Sequence, residues 1–412
     1  MPRSLEVSLN YIKTLSILLV MAVLFGGNTN IGGEYKYFLL APVVLALFCH
    51  LLYYSKIKLN NYSIYLILSL TLCFAIIQLE FMKILAWMTA IILCMCMQSA
   101  KIQNELIYYF VKYLNRFNVV FSLICIVLIL DLYFFEGWLY NFMHTLNIIK
   151  SDIGVSFWNF PSGRIVGYVG QASLVPAFII LPSIIQLIFF DEGAKTKFSY
   201  IVNLIFCILS FGGSTVVLYL LVPFIFISFK IFSIKIFKLI PFITQLVFGL
   251  GLYHFLRAPD FLWKYDQSFF QIRSLDDRFS SGVKRVYVIL EQFKEIFLST
   301  NIFTGVNVND TAHFGNIIFT NAYRIGIIGY VLAFYVFVKL NNNILNLVKT
   351  SKTHSDILKI SVFYSCVLQF FIYNDFGMSN YYGFVMILIL NFLTEKMIKS
   401  HSKTNNNENL SL

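Results

Sequence analysis

Charge is what this chain has least of. Asp, Glu, Lys and Arg make up only 12% of its 412 residues, roughly half the usual share of about 25% in soluble domains. Hydrophobic residues reach 58%, aromatics 18%, and the mean hydropathy is +0.76. A soluble globular domain is excluded, and a polytopic membrane protein is what remains. Cysteine is sparse as well. Cys49, Cys73, Cys94, Cys96, Cys125, Cys207 and Cys366 all sit inside apolar runs; Cys94 and Cys96, two apart on one expected helix, have the wrong spacing for a zinc knuckle, so neither a disulfide framework nor a metal site is indicated. Familiar catalytic signatures are missing too: no G-x-x-x-x-G-K-[ST] loop, no H-E-x-x-H, no Asp-x-Asp pair and no G-x-S-x-G. ATP is therefore not the expected energy source, and no cofactor or metal is expected. Internal repeats and low-complexity tracts are absent, as is a soluble domain.

Basic charge is present, and its placement is informative. The formal net charge is +11, which in a soluble chain would suggest a nucleic-acid partner; in a membrane protein Lys and Arg collect in cytoplasmic loops, so no nucleic acid is expected. Apolar runs of about 15–25 residues centre near Leu18, Val44, Ser69, Ile91, Cys125, Ala177, Phe206, Leu221, Val247, Val331, Val367 and Ile387. "SFGGST" divides the seventh from the eighth, or else marks one long tilted helix. The charge pattern favours division. With about twelve spans the even-numbered connections and the two termini together hold more than half of the 31 basic residues, Lys56, Lys58, Lys101, Lys112, Arg116, Lys195, Lys230, Lys339 and Lys349 among them. The prediction is an all-α integral membrane protein of about twelve transmembrane helices, both termini cytoplasmic. "MPRSLEVSLNYIKTLSILLVMAVLFGG" has no small-residue cleavage site and predicts a retained first helix rather than a signal peptide. Residues 1–400 form one polytopic domain with external loops at about 136–164 and 257–313; the polar stretch 401–412 is expected to be a disordered cytoplasmic tail. In the larger loop, Val283, Val286, Tyr287, Leu290, Phe293 and Phe297 recur at helical spacing, predicting an amphipathic helix on the outer membrane surface.

A few polar residues at the outer side have chemistry to offer. Arg164 precedes "IVGYVGQASLVP"; it either snorkels from a helix end or, with the free N–H groups of a Gly-rich helix start, meets an anion such as phosphate. Arg278 and Arg285, seven apart, return to one helix face. They bind anionic headgroups, pair with Asp276 and Asp277, or clamp a lipid diphosphate with their guanidinium forks. Arg273 and Lys284 are rim charges beside them. "NVNDTAHFGNIIFTNAYRIGIIGYV" places Asp310 and His313 at the mouth of a span, with Arg324 about three turns inside it. A histidine there is an interfacial residue or a general base; an arginine within a span is expected to face a polar cavity. Asp131, inside "IVLILDLYFFEGW", is another intramembrane charge, expected to pair with an arginine such as Arg164.

Four segments resemble the O-antigen polymerase and O-antigen ligase group of bacterial membrane proteins. They are "GRIVGYVGQASLVPA", "SFGGSTVVLYLLVPF", "RFSSGVKRVYVILEQFKEIFLSTNIFTGV" and "HFGNIIFTNAYRIGIIGYVLAFY"; the turn reads "GVNVN" where the group is commonly richer in Gly. The resemblance implies metal-independent glycosyl transfer at the external face of the inner membrane, with polyisoprenyl-diphosphate-linked oligosaccharides as donor and acceptor. Membrane lipids and a chain-length regulator protein are the other implied partners. Under that reading Arg164, Arg278 and Arg285 stabilise the leaving lipid diphosphate, and Arg324 holds a second one. His313 takes the acceptor's proton, with Asp310 as its substitute. Three activities share this plan in whole or part: a polymerase of O antigen or capsule, a ligase moving glycan to lipid A-core, and a lipid-linked oligosaccharide flippase. A flippase should show two related halves and no dominant external loop, and this chain has neither visible halves nor a shortage of loop. A membrane acyltransferase would want a paired active-site His motif, which is not evident.

Overall fold

The computed structural model describes residues 9–26, 36–53, 61–79, 81–99, 102–135, 137–145, 176–190, 193–209, 213–257, 292–296, 302–306, 316–351, 353–369, 371 and 381–409. Among these the regular structure is helical, with no β-strand. In chain order the helices are α1 (Leu9–Gly26), α2 (Lys36–Tyr53), α3 (Tyr62–Ile77), α4 (Phe81–Cys96), α5 (Gln103–Phe134) and α6 (Trp138–Thr145). A π-helical turn, Pro176–Ile180, then runs into α7 (Leu181–Phe189), followed by α8 (Ala194–Leu209), α9 (Gly213–Ile231), α10 (Ile234–Phe237) and α11 (Ile240–Arg257). The last three are α12 (Ile317–Thr350), α13 (His354–Leu368) and α14 (Tyr381–Asn409).

Helical structure stands at every predicted span centre. Two stretches, Gln103–Asp131 and Ile317–Thr350, are long and apolar enough to cross a membrane by length and composition; shorter apolar helices include Tyr62–Ile77, Leu218–Ile231 and Ile240–Gly251. α8 is described to Leu209 and α9 from Gly213; residues 210–212 of "SFGGST", on which the division of these two spans turns, lie outside the described residues. Gln292–Ile296 is helical, while the rest of the expected surface helix lies outside the described residues. α14 continues to Asn409, so 401–409 are helical where their polar composition predicts a disordered tail; nothing in that stretch breaks a helix already running through Lys399.

These helices pack as two joined groups. α1 sits between α2 and α5; α5 packs on α7 and α8, α13 packs on α7 and α9, and α12 is flanked by α3 and α14. Phe110, Phe178, Phe206, Phe337, Phe363, Phe371, Tyr323 and Tyr364 are fully buried between them. The outward faces carry large apolar side chains as well, such as Leu52, Leu66, Val120, Val127, Leu220, Phe224, Val331 and Tyr335. A helix apolar on its inner and outer faces alike finds a suitable surrounding in a core or in lipid.

Among the described residues, basic side chains form ion pairs with carboxylates. Lys339 on α12 meets Glu395 on α14 at 2.8 Å, and its ammonium also donates to Asn61 at 3.4 Å. The start of α13 is a capping motif: Asp356 N–H donates to Thr353 Oγ1 at 3.1 Å, and that hydroxyl donates to Asp356 Oδ2 at 2.6 Å. The Thr353 hydroxyl, helped by Lys359, holds the Asp356 carboxyl below the usual carboxylate range. A carboxyl depressed in the fold contributes stability above its unfolded pKa of about 3.9, and that contribution is lost as pH falls through the lower folded value. Thr353→Ala should lower stability by about 1 kcal/mol at neutral pH. The deficit should shrink as pH falls below the ordinary carboxylate range and the carboxyl is protonated, as thermal unfolding at neutral and strongly acid pH would read; an equal deficit at both would remove Asp356 from the cap.

Candidate functional site: a broken helix around Arg324

α12 opens with its polar side chains turned on its own backbone. Asn316 Oδ1 accepts from Ile318 N–H at 3.0 Å, Thr320 donates its hydroxyl to the Asn316 carbonyl at 3.0 Å, and Asn321 donates Nδ2 to the Ile317 carbonyl at 2.7 Å. The cap satisfies one of the N–H groups that a helix start leaves without an intrahelical partner. The helix then breaks at Ile325 (φ −133°, ψ 22°) and Gly326 (φ 70°, ψ −161°). Gly326 lies in left-handed territory that residues with a Cβ occupy at a cost.

The turn 302–306 fills the break. Val306 N–H donates to the Tyr323 carbonyl at 2.7 Å, satisfying an acceptor the interrupted helix leaves over. Gly305, also at positive φ, lies against the Arg324 carbonyl, and Gly326 lies against the Phe303 carbonyl; a Cβ on either would collide with backbone. These two close approaches lock the turn to the break. Gly326→Ala should therefore unseat it, combining strained φ with a clash at a cost of about 2–3 kcal/mol. Faster proteolysis after Lys294 than in Gly249→Ala, where the added methyl meets open space, would read the effect.

The result is a short buried half-helix, with every residue from Asn316 to Gly326 buried. Arg324 is only 6% exposed, and its guanidinium carbon lies 5.7 Å from the centroid of the Trp87 ring on α4. That is cation–π range, and the indole face holds the charge in place. Tyr323 donates its hydroxyl to Glu295 Oε2 at 3.3 Å, tying the half-helix to the short helix at 292–296, while Phe293 packs on Phe319 at 6.1 Å. Among the described residues, Trp87 Nε1 and Asn316 Nδ2 are buried donors with no acceptor. A guanidinium stays ionised at any working pH, and in apolar surroundings its field is screened far less than in water. Such a site favours an anion with several acceptor oxygens.

Elsewhere, two groups of buried polar side chains serve each other. Asn115 on α5 donates to Gln186 Oε1 at 2.8 Å, and its Oδ1 accepts from Ser183 at 2.6 Å and Asn203 at 3.1 Å. Asn203 Oδ1 accepts from Ser122 at 2.9 Å, and Asn118 donates to the Phe178 carbonyl of the π-turn at 2.7 Å. These contacts join α5, α7 and α8 in one network. A second buried chain runs from Tyr11 to His50 Nδ1 at 2.5 Å and from His50 Nε2 to Ser99 at 3.1 Å, connecting α1, α2 and the end of α4.

Of the residues the sequence singles out, two fall within the described structure. Arg324 is at the break. Asp131 is 7% exposed near the end of α5, where its carbonyl accepts from Phe135 N–H at 2.7 Å and Gly137 N–H at 3.3 Å. Arg164, Arg273, Arg278, Lys284, Arg285, Asp310 and His313 lie outside the described residues, as does the expected Asp131–Arg164 pairing. Sequence reading passed over Trp87, Asn316, Thr320, Asn321 and Tyr323. The density of hydrogen-bonding side chains in "NIIFTNAYR", within an otherwise apolar run, was the available signal for most of them. Among the described residues no cluster of three or more His, Cys, Asp or Glu could hold a metal ion. No protein-family model, curated protein or solved structure matches this chain.

Proposed function

We propose that this protein polymerises a bacterial surface polysaccharide, O antigen or capsule, from oligosaccharide units carried on polyisoprenyl diphosphate. It does so as an integral protein of the inner membrane, with about twelve spans and both termini in the cytoplasm. The observation that supports this best is the buried Arg324 guanidinium at a helix break, against the Trp87 ring, whose N–H is a buried donor with no acceptor among the described residues. Irregular backbone inside an apolar bundle is tolerated where it lines a site, and an arginine held within such a bundle marks a functional position.

In the proposed reaction a hydroxyl of the acceptor sugar attacks the anomeric carbon of the donor glycan. The bond from that carbon to the diphosphate oxygen breaks, the lipid diphosphate leaves with the bonding pair, and the acceptor's proton passes to His313, or to Asp310 in its place. Negative charge grows on the leaving group, so Arg164, Arg278 and Arg285 are assigned there, with Arg273 and Lys284 at the rim and Asp131 orienting Arg164. Arg324 holds the diphosphate of the second lipid-linked substrate.

Deleting the gene in its source bacterium and resolving the surface glycolipid on a gel tests the reading. Core bearing a single repeat unit, with the longer ladder gone, is the expected result. Core with no repeat at all would overturn it in favour of a ligase or flippase, and long polymer accumulating on the lipid carrier would then single out the ligase.

A further inference from the structure

α5 is longer than the hydrocarbon of a bilayer is thick. Its 32 residues rise about 48 Å, against a layer of about 30 Å. The part from Arg116 to Phe134 rises about 27 Å and matches that layer, which leaves Arg116 at one edge and the first half of the helix beyond it. Along the matching part Val120, Leu123, Val127, Leu130 and Phe134 are exposed. Alternate steps of four and three residues put all five in line with Arg116 on one helix face. Before Arg116 the same stripe runs through Tyr109, Lys112 and Tyr113, so one face is basic and aromatic in its first half and apolar in its second.

In the first half, rings hold the cations. Lys112 Nζ lies 5.0 Å from the Tyr108 ring centroid and 5.9 Å from that of Tyr109, and it donates to the Tyr108 hydroxyl at 3.0 Å. Phe190 meets the Tyr108 ring edge-on at 5.3 Å. The Arg116 guanidinium carbon is 5.9 Å from the Tyr113 ring, which stacks on Tyr109 at 6.0 Å. From α1, Lys13 Nζ comes within 5.7 Å of that same Tyr109 ring. Three cations from two helices thus converge on one tyrosine cluster. None of them pairs with a carboxylate among the described residues, where the ion pairs belong to Lys339 and Lys359; Glu105 stands on the stripe seven residues before Lys112. Arg116 is exposed, while Lys13 and Lys112 are half-buried. Cations already fixed on aromatic faces lose little freedom when an anion arrives, and a guanidinium fork takes two phosphate oxygens at once. A soluble anion would have no use for the apolar stripe that runs on from Arg116. An acyl chain would, since one leaflet's share of the hydrocarbon, about 15 Å, carries it past Val120 and Leu123 to the level of Val127.

We propose that this face of α5, with Lys13 of α1 beside it, binds an anionic phospholipid of the cytoplasmic leaflet. Arg116 and Lys112 hold the headgroup phosphate, Lys13 adds its charge, and an acyl chain lies along Val120, Leu123 and Val127. The site rests on the membrane-spanning reading and its topology, and not on glycosyl transfer. The test uses the full chain reconstituted in phosphatidylcholine vesicles with a trace of phosphatidylglycerol carrying a photoreactive acyl chain, the crosslinks being mapped by peptide mass spectrometry. Labelling of wild type should concentrate on residues 120–127. Unlabelled phosphatidylglycerol should compete for it, and neither phosphatidylcholine nor inorganic phosphate should. One cation at a bilayer surface is worth about fivefold in affinity for anionic lipid, so Lys112→Gln combined with Arg116→Gln should weaken competition about 25-fold. Lys235→Gln removes an exposed cation assigned to the same side of the membrane and should change nothing. Labelling spread evenly over the exposed apolar helices, equal competition by phosphatidylcholine, displacement by inorganic phosphate, or an equal loss in Lys235→Gln would each overturn the site. Release of the chain from membranes by alkaline carbonate would instead overturn the membrane reading, and the site with it; a membrane-embedded chain indifferent to headgroup charge would overturn the site alone.

Discussion

Arg324→Ala should cut chain extension from a lipid-diphosphate donor by a factor of about 10²–10³, the range for removing one preorganised charge-stabilising donor. Arg324→Lys should recover only part of that loss. Lysine keeps the charge but not the planar fork, and an ammonium stacks less well on the Trp87 ring that steadies the guanidinium at 5.7 Å. Initial rates in proteoliposomes, with thermal midpoints measured alongside, separate chemistry from unfolding. Trp87→Phe should fall between wild type and Arg324→Lys, because a phenyl face still supports a cation, though less strongly. An Arg324→Ala protein that folds and extends chains at the wild-type rate would remove the diphosphate role of this arginine.

The second large effect is expected on stability. Asn203→Leu should cost about 2–3 kcal/mol, since it strands Ser122 and leaves Asn115 and the Ile179 carbonyl short of a donor. Individual hydrogen bonds between membrane helices average only about 0.6 kcal/mol, so the size of the loss comes from several failing together. Thr71→Val is the comparison: its hydroxyl merely bonds back to the Ile67 carbonyl of its own helix at 2.7 Å, and the change should be nearly silent. Thermal midpoints in mild detergent would show the contrast, and equal shifts for the two would mean that the network is not what joins α5, α7 and α8.

How legible this was in the sequence differs by level. The places of the helices could be read because apolar runs of spanning length are a coarse, redundant signal: substituting any one residue of "YSIYLILSLTLCFAII" leaves α3 recognisable. The break in α12 is another matter. "RIGIIGYV" offers two glycines, and only the arrival of the 302–306 turn makes Gly326, rather than Gly329, the residue with positive φ. Such long-range packing leaves no local trace. Arg324 was visible as a charge among apolar residues, whereas Trp87 was one more aromatic in a chain full of them until the fold set it beside that charge. The polar stripe of Asn115, Asn118 and Ser122 on α5 went unread, since its partners come from residues 68 or more positions away for Asn115 and 81 away for Ser122.

The π-turn at Pro176–Ile180 gives the chain a point of unequal tolerance to length. A π-turn is a helix carrying one residue more than its ladder needs, and here the Phe178 and Ile179 carbonyls it presents are taken by Asn118 and Asn203. Losing a single codon from this turn would convert it to ordinary α-helix and rotate everything after it by about 100°. Ser183 and Gln186 would swing away from Asn115, and the reading frame of the helix, not any one side chain, would have been mutated.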